Sequence, residues 1–327
     1  MPEPTISVLM SVHNGEEFLA EAMQSILDQT YTSFEFLVVD DGSTDRTPAI
    51  LDGFVDARVK RLRNPVRRGV GYSVGWALAA AQGKFIARMD ADDVSYPQRL
   101  QRSMELFERF PHVGLVAGSA DRLFMEDGRI LKNYYASTYA IPPLDDIEAH
   151  CRYVKERLDV ENIVCQPTVL MPRRTLEVIG SYRLPLVEDY DLWLRIAERL
   201  PIIIAPEPWL LHRVHGAATS RRRWLAMKRH YWIVRQARTL RRAGRKERLA
   251  ALRLLSLPVN PVGMWILADS ASEELRILGR FSRDQGHGAR AALLTASGIS
   301  LRALTHPGLA LKSLWRRIGI RSAKVPS

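Results

Sequence analysis

Continuous apolar runs alternate with amphipathic ones through the first half of the chain. The run "TISVLMSV" (5–12) is β-branched and apolar throughout, which predicts a buried strand. "GEEFLAEAMQSILDQ" (15–29) carries Phe18, Leu19, Ala22, Met23, Ile26 and Leu27 at helical spacing. Its acids gather in the first turn, where the helix dipole favours them. "FEFLVVDD" (34–41) predicts a second strand, followed by the turn "DGSTDRT" and a short helix, and "RVKRLRN" (58–64) reads as a third strand. "GYSVGWALAAAQG" (71–83) predicts a helix closed by Gly83. "KFIARMD" (84–90) predicts a fourth strand, and Pro97 a helix start at a favourable first-turn position. This alternation implies an α/β fold with a mainly parallel sheet and helices on both faces. Ligands of such sheets bind at the carboxyl ends of the strands, where Asp40, Asp41, Asp90 and Asp92 fall.

From about residue 221 the pattern changes to arginine-rich helical stretches, "RRRWLAMKRHYWIVRQARTLRRAGRKERLAALRLL" and "LALKSLWRRIGIRSAK", with Trp224, Tyr231, Trp232 and Trp315 among the arginines. Charge divides at the same place. Residues 221–327 hold 23 Lys and Arg against 5 Asp and Glu, a net of +18, whereas 1–220 is net −7. Two parts of opposite sign predict two domains with separate jobs, 1–220 and 221–327. The apolar fraction of 46% fits a globular core. Cys151 and Cys165 form neither a disulfide framework nor a zinc spacing, which fits a reducing compartment. The longest apolar candidate, "LLSLPVNPVGMWILA" (254–268), is broken by Pro258 and Pro261 and does not read as a spanning helix. No basic stretch precedes the first apolar run, which reads against a secretory leader.

Several short motifs carry chemistry, each with a plainer alternative. In "VVDDGSTD" (38–45) the strand-end acids can accept hydrogen bonds from a ligand, or cap the helix that follows. In "MDADD" (89–93) the Asp90 and Asp92 carboxylates can face one hard cation, Mg2+ or Mn2+, or belong to a solvated acidic loop. The preceding strand fixes Asp90, so its repulsion with Asp92 is not relaxed by mobility. Asp93 either joins this cluster or caps the next helix. "NPVRRGVGYSVG" (64–75) sets Gly69, Gly71 and Gly75 ahead of a helix, where a phosphate can bind. The loop lies after the third strand, and the first strand-to-helix turn "SVHNGEE" lacks G-x-G-x-x-G, so a nicotinamide oxidoreductase fits poorly. "LVEDYDLWLRIA" (186–197) places Glu188, Asp189 and Asp191 at the start of a helix whose apolar face includes Leu192, Trp193 and Ile196. These acids are either dipole partners or include a general base. "WLLHRVHGAATS" (209–220) offers His212, Arg213 and His215 to a diphosphate or a metal, at a spacing that is not diagnostic.

Taken in order along residues 4–220, these motifs resemble the family 2 inverting glycosyltransferases of the GT-A fold; the basic tail lies outside the resemblance. The resemblance implies that Asp41, with Asp40 beside it, contacts the nucleotide base. It implies that residues 12–16, including Val12, His13, Asn14 and Glu16, line the same pocket, with Gly69 nearby. Asp90 and Asp92 match its D-x-D motif around Ala91, the first near the ribose and the last on the metal that bridges the diphosphate. Glu188 and Asp189 match its E-D pair, with Asp189 as catalytic base. Arg213 and His215 fall where the family holds the leaving diphosphate, His215 on the metal side. His13 stands where a tyrosine is common. Ser220 replaces the glutamine of the processive synthases' Q-x-x-R-W motif, which argues against a processive enzyme. The implied activity is transfer from a nucleotide-diphosphate sugar, with Mg2+ or Mn2+, to a glycan or glycolipid acceptor in cell-surface synthesis. A nucleotide-sugar-binding scaffold with a degenerate site is disfavoured, since no acid of the motif set is missing. For such an enzyme the basic, tryptophan-bearing tail is expected to lie on an anionic membrane surface, ahead of a solvated helical subdomain, a docking site for a protein partner or a nucleic-acid contact, which places the protein in the cytoplasm, peripheral on the inner face of the plasma membrane.

Overall fold

The computed structural model describes residues 4–184, 186–216 and 224–247. The chain divides into two compact units, Met1–Ala218 and Thr219–Ser327.

The first unit opens with β1 (Ile6–Val12), α1 (Leu19–Leu27), β2 (Phe34–Asp41), α2 (Thr47–Gly53), β3 (Val59–Asn64), α3 (Val70–Ala80) and β4 (Phe85–Asp90). β1 pairs in parallel with β2 and with β4, and β2 with β3. Every β2 residue is buried and nearly every β1 residue, as expected of parallel strands covered on both faces. The register sets Val12 beside Asp40, Asp41 beside Asn64, and Ser11 beside Asp90, so the acids named above share one edge of the sheet. The chain reverses its direction of strand addition at β1, with β2 on one side and β4 on the other, which makes this edge the topological switch point.

Beyond β4 the sheet is mixed. β5 (Val94–Ser95), α4 (Arg99–Arg109), β6 (Leu115–Phe124), β7 (Ile130–Leu131), α5 (Tyr134–Tyr139), α6 (Ile147–Val160), β8 (Leu170–Pro172), α7 (Arg173–Ile179), α8 (Glu188–Arg199) and β9 (Ile202–Val214) follow. The strand order is β3-β2-β1-β4-β8-β6-β9-β5, with β7 on β6. β8 runs antiparallel to both β4 and β6, β5 runs antiparallel to β9, and β6 pairs in parallel with β9. The parallel character therefore belongs chiefly to the first four strands. Val8, Met10, Phe36, Val38, Ala87 and Met89 from their cores pack with Ala22, Met23 and Ile26 of α1. α8 buries Tyr190, Leu192, Trp193, Leu194 and Ile196, each worth about 1.5–3 kcal/mol of transfer free energy.

Two boundaries differ from the sequence reading. α3 stops at Ala80, so Gly83 does not close it. A Cβ at Gly83 would lie 2.5 Å from the Ser7 nitrogen. The Ser7 hydroxyl donates to Glu35 at 2.6 Å and accepts the Gly83 N–H at 2.8 Å, so glycine is required by close approach to β1, not by a helix cap. Pro97 lies two residues ahead of α4, where its carbonyl accepts the Thr30 N–H at 2.9 Å.

Of the second unit, the structure describes α9 (Trp224–Arg242) and the residues to 247. Ile233, Ala237 and Leu240 cluster at helical spacing with Trp232 packed against them. No helix among the described residues is long and apolar enough to cross a membrane. The stretches 254–268 and 309–324 lie outside the described residues.

Candidate active site

The first strand-to-helix turn is laced to the loop after β2. The His13 Nδ1 lies 3.0 Å from the Asp41 carbonyl, the Asn14 N–H donates to the Ser43 hydroxyl at 2.9 Å, and the Thr44 N–H donates to the Asn14 side-chain oxygen at 2.8 Å. The Glu16 N–H donates to Asp45 at 3.1 Å, and its carboxylate pairs with Arg46 at 3.1 Å. Residues 13–16 thus form one rim at the ends of β1 and β2, laced by hydrogen bonds, whereas Val12, expected to line the pocket with them, is 3% exposed and packs into the core.

Asp41 does not present a free carboxylate there. It is 2% exposed and accepts from the Gly69 N–H (2.7 Å), the Arg68 N–H (2.8 Å), the Asn64 amide (2.8 Å) and the Ser73 hydroxyl (3.0 Å). Burial alone would raise its pKa. The donors outweigh burial and hold it below the usual carboxylate range. Asp40 is equally buried: one oxygen accepts the Ser43 N–H at 2.9 Å and the other lies 3.3 Å from the Arg63 Nε. Both acids expected to read a base instead fold the loops around the strand ends. The Gly69 N–H, expected to meet a phosphate, is spent on Asp41; Gly69 sits at φ +95°, outside the range of ordinary residues.

The acidic rim at the end of β4 rests on two buried arginines. Arg88 donates to the Leu9 carbonyl at 2.9 Å and reaches Asp90 at 3.4 Å. Arg99 donates to the Arg88 carbonyl at 2.5 Å, and burial pushes its pKa down to about 10, still cationic near neutrality. Asp90's own pKa is raised by burial, with Asp92 and Asp189 adding and Arg88 opposing. Asp93 turns inward, where its carboxylate accepts the Arg213 N–H at 2.9 Å. It therefore neither joins Asp92 nor caps α4. Burial raises its pKa, and the neighbouring Asp92 and Asp90 add to the rise.

Asp92 is 39% exposed, with its carboxylate 3.0 Å from the His215 Nε2. The His215 ring packs against Phe18. Ala91, between the two acids, packs partly against the core. Arg213 is committed elsewhere: it is 6% exposed, donates to the Asp92 carbonyl at 3.1 Å, pairs with Glu21 and lies over Phe18. It braces the 90–93 turn from behind, where the resemblance implied a grip on a diphosphate. Among the described residues no three His, Cys, Asp or Glu side chains gather into a metal cluster. The Asp92 carboxylate nonetheless suits Mg2+ or Mn2+, which keep waters and substrate phosphates in most of their positions, and the His215 imidazole beside it suits Mn2+ better than Mg2+.

Glu188 and Asp189 open α8. The preceding Val187 sits at φ +58°, an outlier for a β-branched residue and a strained one. Asp189 accepts from the Asn162 amide at 2.9 Å. Its pKa is raised by burial, while the Tyr190 N–H and Asn162 pull it back. Glu188 is pushed up to about 7 by burial, with the Asp189 charge adding. Asp191 belongs to the scaffold: Arg183 grips it in bidentate fashion at 2.6 and 2.8 Å, and Arg195 reaches it at 3.0 Å. Sequence reasoning missed Arg88, Arg99 and Asn162. Arg88 had a signal, a charged residue on the same strand face as Asp90 in an apolar run. Asn162, 27 residues from Asp189, had none.

A profile of the family "Glycosyl transferase family 2" matches residues 7–156. The putative glycosyltransferase EpsE of Bacillus subtilis is 30% identical over 202 residues, covering 60% of this chain and 67% of its own. An uncharacterized glycosyltransferase of Haemophilus influenzae is 26% identical over 221 residues, covering 66% and 68%. In fold, the chain resembles S. aureus TarS 1–349 in complex with UDP (TM-score 0.57, 18% identity, 99% of this chain and 94% of that one). It spans 53% of a longer TarS chain. It also resembles the mannosyltransferase PcManGT from Pyrobaculum calidifontis in complex with GDP-Man and Mn2+ (TM-score 0.55, 20% identity, 96% and 88%). Sequence profile, relatives and the mixed GT-A sheet converge, and the chain belongs to glycosyl transferase family 2.

Proposed function

We propose that the protein is a non-processive, inverting glycosyltransferase that moves a sugar from a nucleotide-diphosphate sugar to a hydroxyl of a glycan or glycolipid acceptor, with Mg2+ or Mn2+. The observation that carries this reading is Asp189, a carboxylate at the head of α8 with a raised pKa, whose charge acts on Asp90 at the end of β4. A base for hydroxyl deprotonation must be a group of this kind within reach of the acceptor. The nucleotide-bound complexes of TarS and PcManGT support a nucleotide-sugar donor, and the Mn2+ of the latter supports a divalent ion.

In this reading the acceptor oxygen forms the new bond to the anomeric carbon as the bond to the diphosphate breaks on the opposite face. Asp189 takes the hydroxyl proton, so one base suffices and the configuration inverts. Asn162 orients that base. Arg88 and Arg99 offset the charge of the rim from below. Asp92 and His215 would hold the divalent ion, which when bound offsets charge on the departing diphosphate. The basic 221–327 region we assign to an anionic membrane surface at the cytoplasmic face, on the strength of its net charge of +18.

The test is a thermal-shift panel of UDP-GlcNAc and GDP-mannose with and without Mn2+, followed by transfer assays. Asp189→Asn should keep the donor-induced shift and lose about 100-fold or more in turnover. Near-normal transfer by this variant would remove Asp189 as the base. Flotation with anionic liposomes tests the tail; binding insensitive to salt and lipid charge would sink that assignment.

A further inference from the structure

A surface helix ordinarily buries an apolar stripe and turns charged residues to water. α4 does so, with Arg102, Glu108 and Arg109 exposed. α3 does not. Its sequence, VGYSVGWALAA, holds no charged residue. Ser73, Val74 and Ala77 are buried, and Tyr72, Trp76, Ala79 and Ala80 lie on the outside at helical spacing. Tyr72 is 52% exposed and Trp76 37%.

The turn that leads into α3 adds charge of one sign. Val66 is 60% exposed, and Arg67 and Arg68 follow it in solvent. The Arg68 guanidinium lies 4.9 Å over the Tyr72 ring, which joins the turn to the outer face of the helix. Lys60, Arg61 and Arg63 of β3 each meet a carboxylate, from Glu35, Asp52 and Asp40. Among the described residues Arg67 and Arg68 pair with none. Residues 57–89 hold 8 Lys and Arg and no Asp or Glu, inside a part of the chain that is net −7. The cationic stretch is therefore local and does not follow from overall composition.

A partner for this face must take up apolar and aromatic side chains and carry negative charge. The surface of an anionic bilayer does both: Trp and Tyr rings settle at the headgroup level, and arginines meet lipid phosphates. A nucleic acid would satisfy Arg67 and Arg68 and leave Val66 and the uncharged outer face of α3 in water. We propose that Val66, Arg67, Arg68, Tyr72 and Trp76 form a membrane-contact face of the first unit, for anionic lipid, separate from the basic 221–327 region. The face adjoins the strand ends, since the Arg68 N–H is one of the donors on Asp41. Its use rests on the glycosyl-transfer reading above: a bilayer seated there lies beside the donor rim, where a lipid-borne acceptor is presented to it.

The experiment uses the full chain and vesicles of phosphatidylglycerol and phosphatidylcholine, with or without lipid brominated high in the acyl chain. The emission that parent has and Trp76→Phe lacks is that of Trp76. Brominated anionic vesicles should quench it about twofold or more, whatever the basic region does. Arg67→Gln with Arg68→Gln should cut partition into anionic vesicles about tenfold. Tyr72→Ser with Trp76→Ser should lower it as well. Arg152→Gln with Lys155→Gln, an equal loss of charge on α6, should leave it within about twofold. All these side chains are exposed, so every variant should keep the parent's melting temperature and its donor-induced thermal shift. Bromolipid quenching that is the same in parent and Trp76→Phe, or partition unmoved by both variants of the face, overturns the membrane contact. Equal partition into purely zwitterionic vesicles overturns the anionic assignment. A parent that sediments as a dimer, a Tyr72→Ser, Trp76→Ser variant that sediments as a monomer, and an unquenched Trp76 give the face to a second copy and overturn the proposal. A donor-induced shift without Trp76 quenching overturns the face alone. Trp76 quenching without any donor-induced shift supports the face and overturns the glycosyl-transfer reading.

Discussion

The Asn162 amide donates to the Asp189 carboxylate at 2.9 Å, so the proposed base is held from outside its own helix. Asn162 lies just past the end of α6, and the Tyr190 hydroxyl donates to the Leu158 carbonyl at 2.6 Å close by. The Asn162 side-chain oxygen accepts the Val164 N–H at 3.3 Å, which fixes the amide with its nitrogen toward Asp189. A neutral donor steadies the carboxylate without cancelling its charge, as a lysine or arginine would.

Asn162→Ala removes a donor that favours the ionised form, so the Asp189 pKa rises further. The base works only when ionised. The acid limb of the kcat/KM profile should therefore move to higher pH, with activity at the acid end reduced about tenfold. Glu188, Asp90, Arg88 and Tyr182 also face this group and stay in place in the variant. A uniform loss across the whole pH range would instead indicate a structural role.

His215→Ala should weaken divalent-ion use without unfolding the protein. His215 contributes one imidazole nitrogen beside Asp92, and the variant keeps the Arg213 contacts that brace the turn. The Mn2+ concentration giving half of the donor-induced thermal shift should rise about tenfold or more. An unchanged Mn2+ titration would exclude His215 as a ligand.

Asp41→Asn should destabilise the fold by about 1–3 kcal/mol at neutral pH, because the amide cannot accept from every donor now aimed at the carboxylate. The sign with pH follows from the lowered pKa. The ionised group's contribution is present above the unfolded-state pKa of about 4 and is lost as pH falls through the lower folded value. Denaturant titrations at neutral and acidic pH should therefore show the parent and variant converging at the acid end. A constant gap would contradict this role.

Gly83→Ala should lower stability by about 1–3 kcal/mol, since the added carbon would meet the β1 backbone at 2.5 Å and neither strand nor turn can yield cheaply. Chemical denaturation measures it. A neutral effect would show that the turn relaxes without loss.

The sequence by itself determined the early strand and helix order, the strand-end position of the acids, and the division into an acidic part and a basic part. Those features are local: apolar runs specify buried strands, helical spacing specifies amphipathic helices, and motif order specifies the family. What faces what was decided only by the tertiary structure. Asp40, Asp41 and Asp93 look like ligand groups in "VVDD" and "MDADD", yet Asp41 and Asp93 are turned inward by backbone N–H groups from distant segments, and Asp40 by the Ser43 N–H of its own turn. Arg213 has the right place in the chain for a diphosphate contact and is spent on Glu21 and the 90–93 turn. The antiparallel insertion of β8 between β4 and β6 carries no periodic signal, since "VLMP" is too short to announce its direction. Asn162 meets Asp189 from 27 residues away in the chain. A hydrogen-bond partner is chosen by distance in space, and residue spacing along the chain constrains that distance only within a strand, a helix or a turn.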